Sequence, residues 1–163
     1  MSDRIGVMFD GRLEQVASPA ELYARPCNRK VAAFIGGMNF LSAELQREGG
    51  ARRSILVPGF GALEIAVNQN AIAQGARLQV GVRPEQLVID TVEPAGYDAT
   101  VQGVVADIAF YGESIHYHVA VRGIDRPLKV AVTNYFHSGS YTRGDNVWVG
   151  LRAAAVIDLG ADP

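Results

Sequence analysis

Lysine is almost missing from this chain: Lys30 and Lys129 stand alone against thirteen arginines, and neither follows a glycine. A nucleotide-hydrolysing P-loop needs glycines that free backbone N–H groups for phosphate, followed by a lysine that reaches the β and γ positions. That loop is therefore not in these 163 residues. Cysteine occurs once, at Cys27. An internal disulfide is excluded, which fits a reducing compartment, and the thiol reads as a small, partly buried side chain.

Long apolar runs are lacking too. No stretch approaches the eighteen residues of a membrane span, and Asp3-Arg4 leads into Ile-Gly-Val rather than a signal-peptide core. A soluble, cytoplasmic chain is expected, one able to serve at a membrane by docking on a partner that spans it. Nor is there an excess of one charge: residues 1–60 carry eight basic and six acidic side chains, residues 61–163 seven and eleven, for a net charge of -2. Nucleic-acid binding, which demands clustered Lys and Arg, is not expected, and the acidic second half disfavours single-strand binding by an oligonucleotide-type barrel.

What is present is a folding composition. Hydrophobic residues make up 48% and charged residues 20%, which excludes the composition of a disordered chain. The length suits one domain with an appendage.

Residues 5–9 and 12–16 flank Asp10-Gly11, a dipeptide favoured in hairpin turns whose two central residues take positive φ. Ser18-Pro19-Ala20-Glu21 supplies a capping serine, a proline at the first helical position and a glutamate three residues after the cap, so a short helix to about Ala24 is predicted. Pro26 stops it, Asn28 caps a second helix with Val31, Ala32, Phe34 and Ile35 on one face, and Gly36-Gly37 ends that.

From Met38 the chain breaks into brief apolar stretches punctuated by Gly, Pro, Asn and Asp, the texture of an all-β barrel or sandwich. Strands are predicted near 38–46, 53–58, 61–67, 78–83, 87–90, 99–110, 114–122, 127–133, 146–152 and 155–159, with a turn and helical half-turn over 68–74. Ile115, Tyr117, Val119 and Val121 alternate with His116, His118, Ala120 and Arg122, which marks a sheet with one wet side. No internal repeat of fixed period is visible. A boundary is expected near Gly36-Gly37: residues 1–36 bury little alone, and residues 37–163 suffice for a compact β domain.

Catalytic patterns are sparse. No nucleophile elbow occurs, and Ser138, beside His137, lies in a Gly- and Ser-rich turn. His116 and His118 share one side of a strand, a spacing found in some metal sites, with His137 further on; two polar outward positions of a half-exposed strand give the same pattern, and no metal site is expected.

The run Gly11-Arg12-Leu13-Glu14-Gln15-Val16, Ser18-Pro19-Ala20-Glu21-Leu22-Tyr23, Arg25-Pro26, Asn28, Val31-Ala32-Ala33-Phe34-Ile35-Gly36 and Met38-Asn39-Phe40-Leu41 resembles the end of the ATPase domain in ABC importer subunits. Gly81-Val82-Arg83-Pro84-Glu85 resembles the Gly-x-Arg-Pro-Glu signature of the C-terminal TOBE domain, of oligosaccharide-binding-fold type, in the same subunits. The stretches 110–119 and 144–149 are most similar to the spermidine/putrescine (polyamine) branch.

The resemblance implies a mainly β, OB-fold-like TOBE barrel at 37–163, preceded at 1–36 by the C-terminal remnant of an ATPase domain as a hairpin and two short helices. It further implies a regulatory and dimerisation domain that is not itself an enzyme and holds no cofactor, ATP and Mg²⁺ belonging to the parent subunit. The implied partners are a twin copy, the ATPase domain and transmembrane permease subunits, on the inner face of the cell membrane. The strands of residues 1–17, torn from a parent sheet, are expected to be mobile, swapped or packed on a neighbouring copy. Arg83 and Glu85 become candidates for an interdomain or structural contact; alternatively Pro84 shapes a turn while the two pair with each other or a neighbour. Tyr135, Phe136 and Tyr141 fit either a dimer surface or the core. The alternative function is a sensor that binds the transported solute, with Asp107, Tyr111, Glu113 and Tyr117 as candidate residues for a cationic polyamine.

Overall fold

The computed structural model describes residues 3–67, 73–134 and 141–161. Its first unit is a hairpin of β1 (Ile5–Phe9) and β2 (Arg12–Ala17), followed by α1 (Pro19–Ala24) and α2 (Arg29–Phe34). Asp10 and Gly11 take φ of 49° and 75°, the positive pair that the tight turn requires. Ser18 and Glu21 form the reciprocal capping box, and Asn28 Oδ1 accepts from the Val31 N–H at 3.0 Å.

The hairpin strands pair only with each other among the described residues. Their inner face is covered by the chain's own helices: Val7 packs with Leu22 and Val31, flanked by Phe9, Ala17, Cys27 and Ile35. Polar links reinforce this seat, because Gln15 accepts from the Cys27 N–H at 2.8 Å and donates to the Arg25 carbonyl at 2.9 Å.

The rest is mainly β, as its alternation implied. One sheet has the order β12-β6-β3-β4-β5 and the other β10-β9-β8-β11-β7. The strands are β3 (Asn39–Gly49), β4 (Arg52–Val57), β5 (Gly61–Ala66), β6 (Arg77–Val82) and β7 (Val88–Asp90), then β8 (Ala99–Tyr111), β9 (Ser114–Val121), β10 (Leu128–Thr133), β11 (Asn146–Leu151) and β12 (Ile157–Ala161). All pairings are antiparallel.

These two sheets are one design used twice. Leu41 pairs with Val80 in the first, and Val101 with Val149 in the second. A β-bulge follows Leu45 in β3 and Val105 in β8. Leu45 exchanges backbone hydrogen bonds with Gly75 and Ala76, and Val105 does so with Gly144 and Asp145. The spacing between equivalents grows from 60 residues (Leu45 to Val105) to 69 (Gly75 to Gly144) because the connecting loops differ in length. That drift is why no fixed period shows in the sequence.

The fifth strand of each sheet comes from the other repeat. β7 follows β6 in the chain but pairs with β11, and β12 follows β11 but pairs with β6. The exchange is symmetrical: Val88 lies opposite Gly150, and Ile157 opposite Gly81. A short 3-10 turn precedes each exchanged strand, at Pro84–Gln86 and Ala153–Ala155. Both sheets bury their inner faces in one common core that runs from Leu41 to Val156 and includes Ile115, Tyr117, Val119 and Val121, the row marked by alternation.

A buried ion pair spans the first sheet. Arg53 of β4 donates through Nη1 to Asp158 of β12, both side chains fully buried, and through Nη2 to Glu48 at 3.0 Å. Residues 68–72 and 135–140 lie outside the described residues, and with them most of the predicted 68–74 turn, Tyr135, Phe136, His137 and Ser138.

Candidate functional site

Where β6 ends, Arg83 continues in extended conformation and Pro84 opens the 3-10 turn. The proline fixes φ at the first turn position and has no N–H to leave unpaired. The Arg83 side chain is thereby directed at the two helices of the N-terminal unit, and it is 3% exposed. Its Nη2 donates to the Tyr23 carbonyl at 3.0 Å, and its Nη1 donates to the carbonyls of Gly37 at 3.2 Å and Ala32 at 3.4 Å.

Tyr23 lies in the last turn of α1 and Ala32 in the last turns of α2, and neither helix has a basic residue of its own there. Terminal carbonyls of helices lack intrahelical donors and carry partial negative charge. One guanidinium from the β region thus serves both helix ends. Its planar, multi-donor fork suits three carbonyls in a way that a lysine does not.

The Tyr23 ring stacks on the same guanidinium, 4.1 Å from its carbon to the ring centroid. The Tyr23 hydroxyl donates to Glu85 Oε1. Partial burial, and then the Glu85 carboxylate, push the phenol above its ordinary pKa, so it stays a donor. Arg83 and Glu85 therefore meet the same tyrosine from two sides. Gly36 beside them has φ of 154°, and a Cβ there would stand 3.4 Å from Arg83 Nη1. A second arginine supports the same seat: Arg29 Nη1 donates to Gln79 Oε1 at 3.1 Å, with its guanidinium 4.7 Å from the Phe40 ring centroid.

The repeat provides an internal comparison. Arg152 occupies the position equivalent to Arg83, immediately before the second 3-10 turn, but it is exposed and stacks on Tyr97 at 5.1 Å. The fold itself does not demand a buried arginine here; the helices do.

The four candidate sensor residues do not share one face. Tyr117 is 1% exposed and meets Tyr141 edge to face at 5.1 Å in the core. Asp107 lies at the surface bonded to Arg143 at 2.6 Å, and that bond holds its carboxyl below the usual range. Tyr111 and Glu113 are exposed at the β8–β9 hairpin end, where Tyr111 lies 4.6 Å from the His116 ring. Tyr141 is half-buried and donates to the Ile89 carbonyl at 3.0 Å. Among the described residues no group of three His, Cys, Asp or Glu side chains is placed to hold a metal.

Sequence reading did not single out Tyr23, Arg29, Arg53 or Asp158. Their partners lie far along the chain, and only an arginine and an aspartate inside apolar stretches hinted at the buried pair.

A family model described as the TOBE domain matches residues 80–158. These limits fall on Val80 of β6 and Asp158 of β12, register partners across the strand exchange. Residues 80–158 are similar to the TOBE-domain family. Among curated relatives, the TOBE-bearing chain is 38% identical over 121 residues to a spermidine/putrescine import ATP-binding protein of Ruegeria pomeroyi, covering 74% of this chain and 31% of the relative. It is 43% identical over 118 residues to the protein of that name in Rubrobacter xylanophilus, covering 72% and 30%. A maltose/maltodextrin import ATP-binding protein of Photorhabdus laumondii matches at 30% over 130 residues, covering 78% and 34%. The chain spans about a third of the length of these relatives.

Among solved structures, the molybdate-bound, cytoplasmic molybdate-binding protein ModG superposes with a TM-score of 0.62 at 18% identity, covering 76% of this chain and 96% of that one. The shared property is the TOBE fold. Among the described residues, no helix is long and apolar enough to cross a membrane.

Proposed function

We propose that this chain is the regulatory end of an import ATP-binding subunit of polyamine type, in which residues 1–36 belong with an ATPase domain and residues 37–163 form the TOBE body that steadies it. The observation that carries this reading is the Arg83 clasp. A regulatory domain acts on its neighbour only through a stiff contact, and here one buried guanidinium fastens both helices of the N-terminal unit to the first TOBE sheet.

The polyamine assignment rests on the spermidine/putrescine relatives, at 38% and 43% identity. In the same reading the TOBE bodies of two subunits pair, the chain is not itself an enzyme, ATP and Mg²⁺ are bound by the ATPase domain, and the assembly sits with its permease on the inner membrane face.

The reading frame upstream of the Met1 codon tests parentage. A frame encoding a P-loop that joins this sequence without interruption is the expected result. A frame that enters this sequence from an unrelated domain overturns the proposal.

A further inference from the structure

A groove of about 1120 Å³ runs between the outer face of β3–β6 and the segment from Gly123 to Lys129, with Arg29 of α2 at its border. Its apolar lining includes Phe40, Leu56, Ile124 and Pro127. Four cations also line it: Arg29, Arg77, Arg126 and Lys129, with His118 beside them. None of the four makes an ion pair among the described residues. Glu44 and Asp125 are the two carboxylates of the lining, so positive charge is in excess by two even with His118 neutral.

The repeat shows that the fold does not require two of these cations, Arg77 and Lys129. Lys129 pairs with His118 in the β10–β9 register, and the equivalent pair in β5–β4 is Glu64 with Ser54. The position of Arg77 in β6 is taken by Asn146 in β11. The same strand geometry thus forms with acidic or neutral side chains, and the basic set has been placed on one side of a pseudo-symmetric body. One wall is also fixed: Asn39 Nδ2 donates to the Lys129 carbonyl at 2.8 Å, and the Lys129 N–H donates to Asn39 Oδ1 at 2.7 Å.

We propose that this groove binds an organic anion, a molecule carrying carboxylate or phosphate groups on an apolar body. A large concave surface with an apolar floor and a few convergent charges is the usual form of a small-molecule site. The charge sign sets this ligand apart from a polyamine, which the same cations repel.

The test is a fluorescence and NMR titration of the full chain with 8-anilinonaphthalene-1-sulfonate, an anion with an apolar ring system, followed by competition with citrate. Saturable binding is expected, with amide shifts concentrated at residues 40–44 and 123–129, and citrate displaces the dye. Arg77→Gln and Lys129→Gln each weaken binding by up to about fivefold, as expected for exposed charge contacts. The double reversal Arg77→Glu/Lys129→Glu weakens it by about tenfold or more, whereas Glu64→Lys at the equivalent position leaves it unchanged. The proposal is overturned if the shifts gather on Met8 and Leu13 of the hairpin, if the folded glutamine variants bind as wild type does, or if spermidine shifts the groove amides in place of the anions.

Discussion

Asn39 holds the main chain of Lys129 as a neighbouring strand would, giving one hydrogen bond and taking another, although 90 residues separate the two. The residue is 7% exposed, and its side chain ties the start of β3 in one sheet to the start of β10 in the other. Asn39→Ala leaves a part-buried N–H and a part-buried carbonyl of Lys129 without this partner, and each such loss costs up to about 1–3 kcal/mol. Urea unfolding of the variant is expected to show a lower midpoint with an unchanged slope, and a midpoint equal to wild type would refute the assignment.

The buried pair of Arg53 and Asp158 joins two strands that are not neighbours in the sheet. Removing Asp158 leaves the buried guanidinium to the partly exposed Glu48, at a cost of up to about 3–5 kcal/mol. Asp158→Ala should therefore lose more stability than Arg53→Met/Asp158→Leu, which removes both charges and fills the space. Thermal melts of the two variants check the order; equal losses would show that the charges do not act as a pair.

Replacing Arg83 tests the clasp locally. Arg83→Met is expected to speed amide exchange in α1 and α2 by about tenfold or more while the strands stay protected, since contacts confined to one unit set its local opening. Arg83→Lys restores charge but not the fork, and little of the protection returns. Uniform loosening of the whole chain in Arg83→Met would mean that the residue is an ordinary core contact.

His116 gives the stability a pH dependence of known sign. Burial, and then the nearby His118 and Lys129 charges, hold its pKa below the ordinary 6.5. The unfolded chain therefore binds the proton more readily, so stability is full above the unfolded value and falls as the pH drops through it toward the lower folded value. His116→Gln should flatten the fall of melting temperature as the pH drops below the ordinary 6.5. Asp107 and Glu21, both held low, lose their contributions only at more acid pH.

Gly150 and Gly81 are equivalent in the repeat but not in tolerance. A Cβ on Gly150 would come within 2.7 Å of Val88 Cγ1, 2.9 Å of Tyr97 Cγ and 3.0 Å of Pro94 Cγ, atoms with little room to move. At Gly81 the obstacle is chiefly the flexible end of Met38. Gly150→Ala is expected to cost about 1–3 kcal/mol, the range for overpacking, and Gly81→Ala less. Chemical denaturation of both variants decides it.

The elements themselves were readable because their signals are local: an Asp-Gly turn, a capping box, and alternation as plain as that of Ile115 to Val121. The strand exchange was not readable. β7 has an ordinary apolar sequence, and nothing in Val88-Ile89-Asp90 states that its partner is β11 rather than the strand just before it. The motif around Arg83 was visible, but the recipients of its hydrogen bonds are main-chain carbonyls, which carry no sequence identity. The cationic groove was hidden for a related reason, since Arg29, Arg77, Arg126 and Lys129 come from four separate places along the chain.

Because β7 and β12 trade places, neither half of the TOBE body owns a complete sheet. The arrangement is that of two subunits that have swapped arms, made permanent by the short connector between Asp90 and Ala99. A free dimer of such halves would come apart on dilution, whereas a tether replaces encounter by a fixed local concentration. The integrity of the body is thus independent of how many copies of the protein a cell contains.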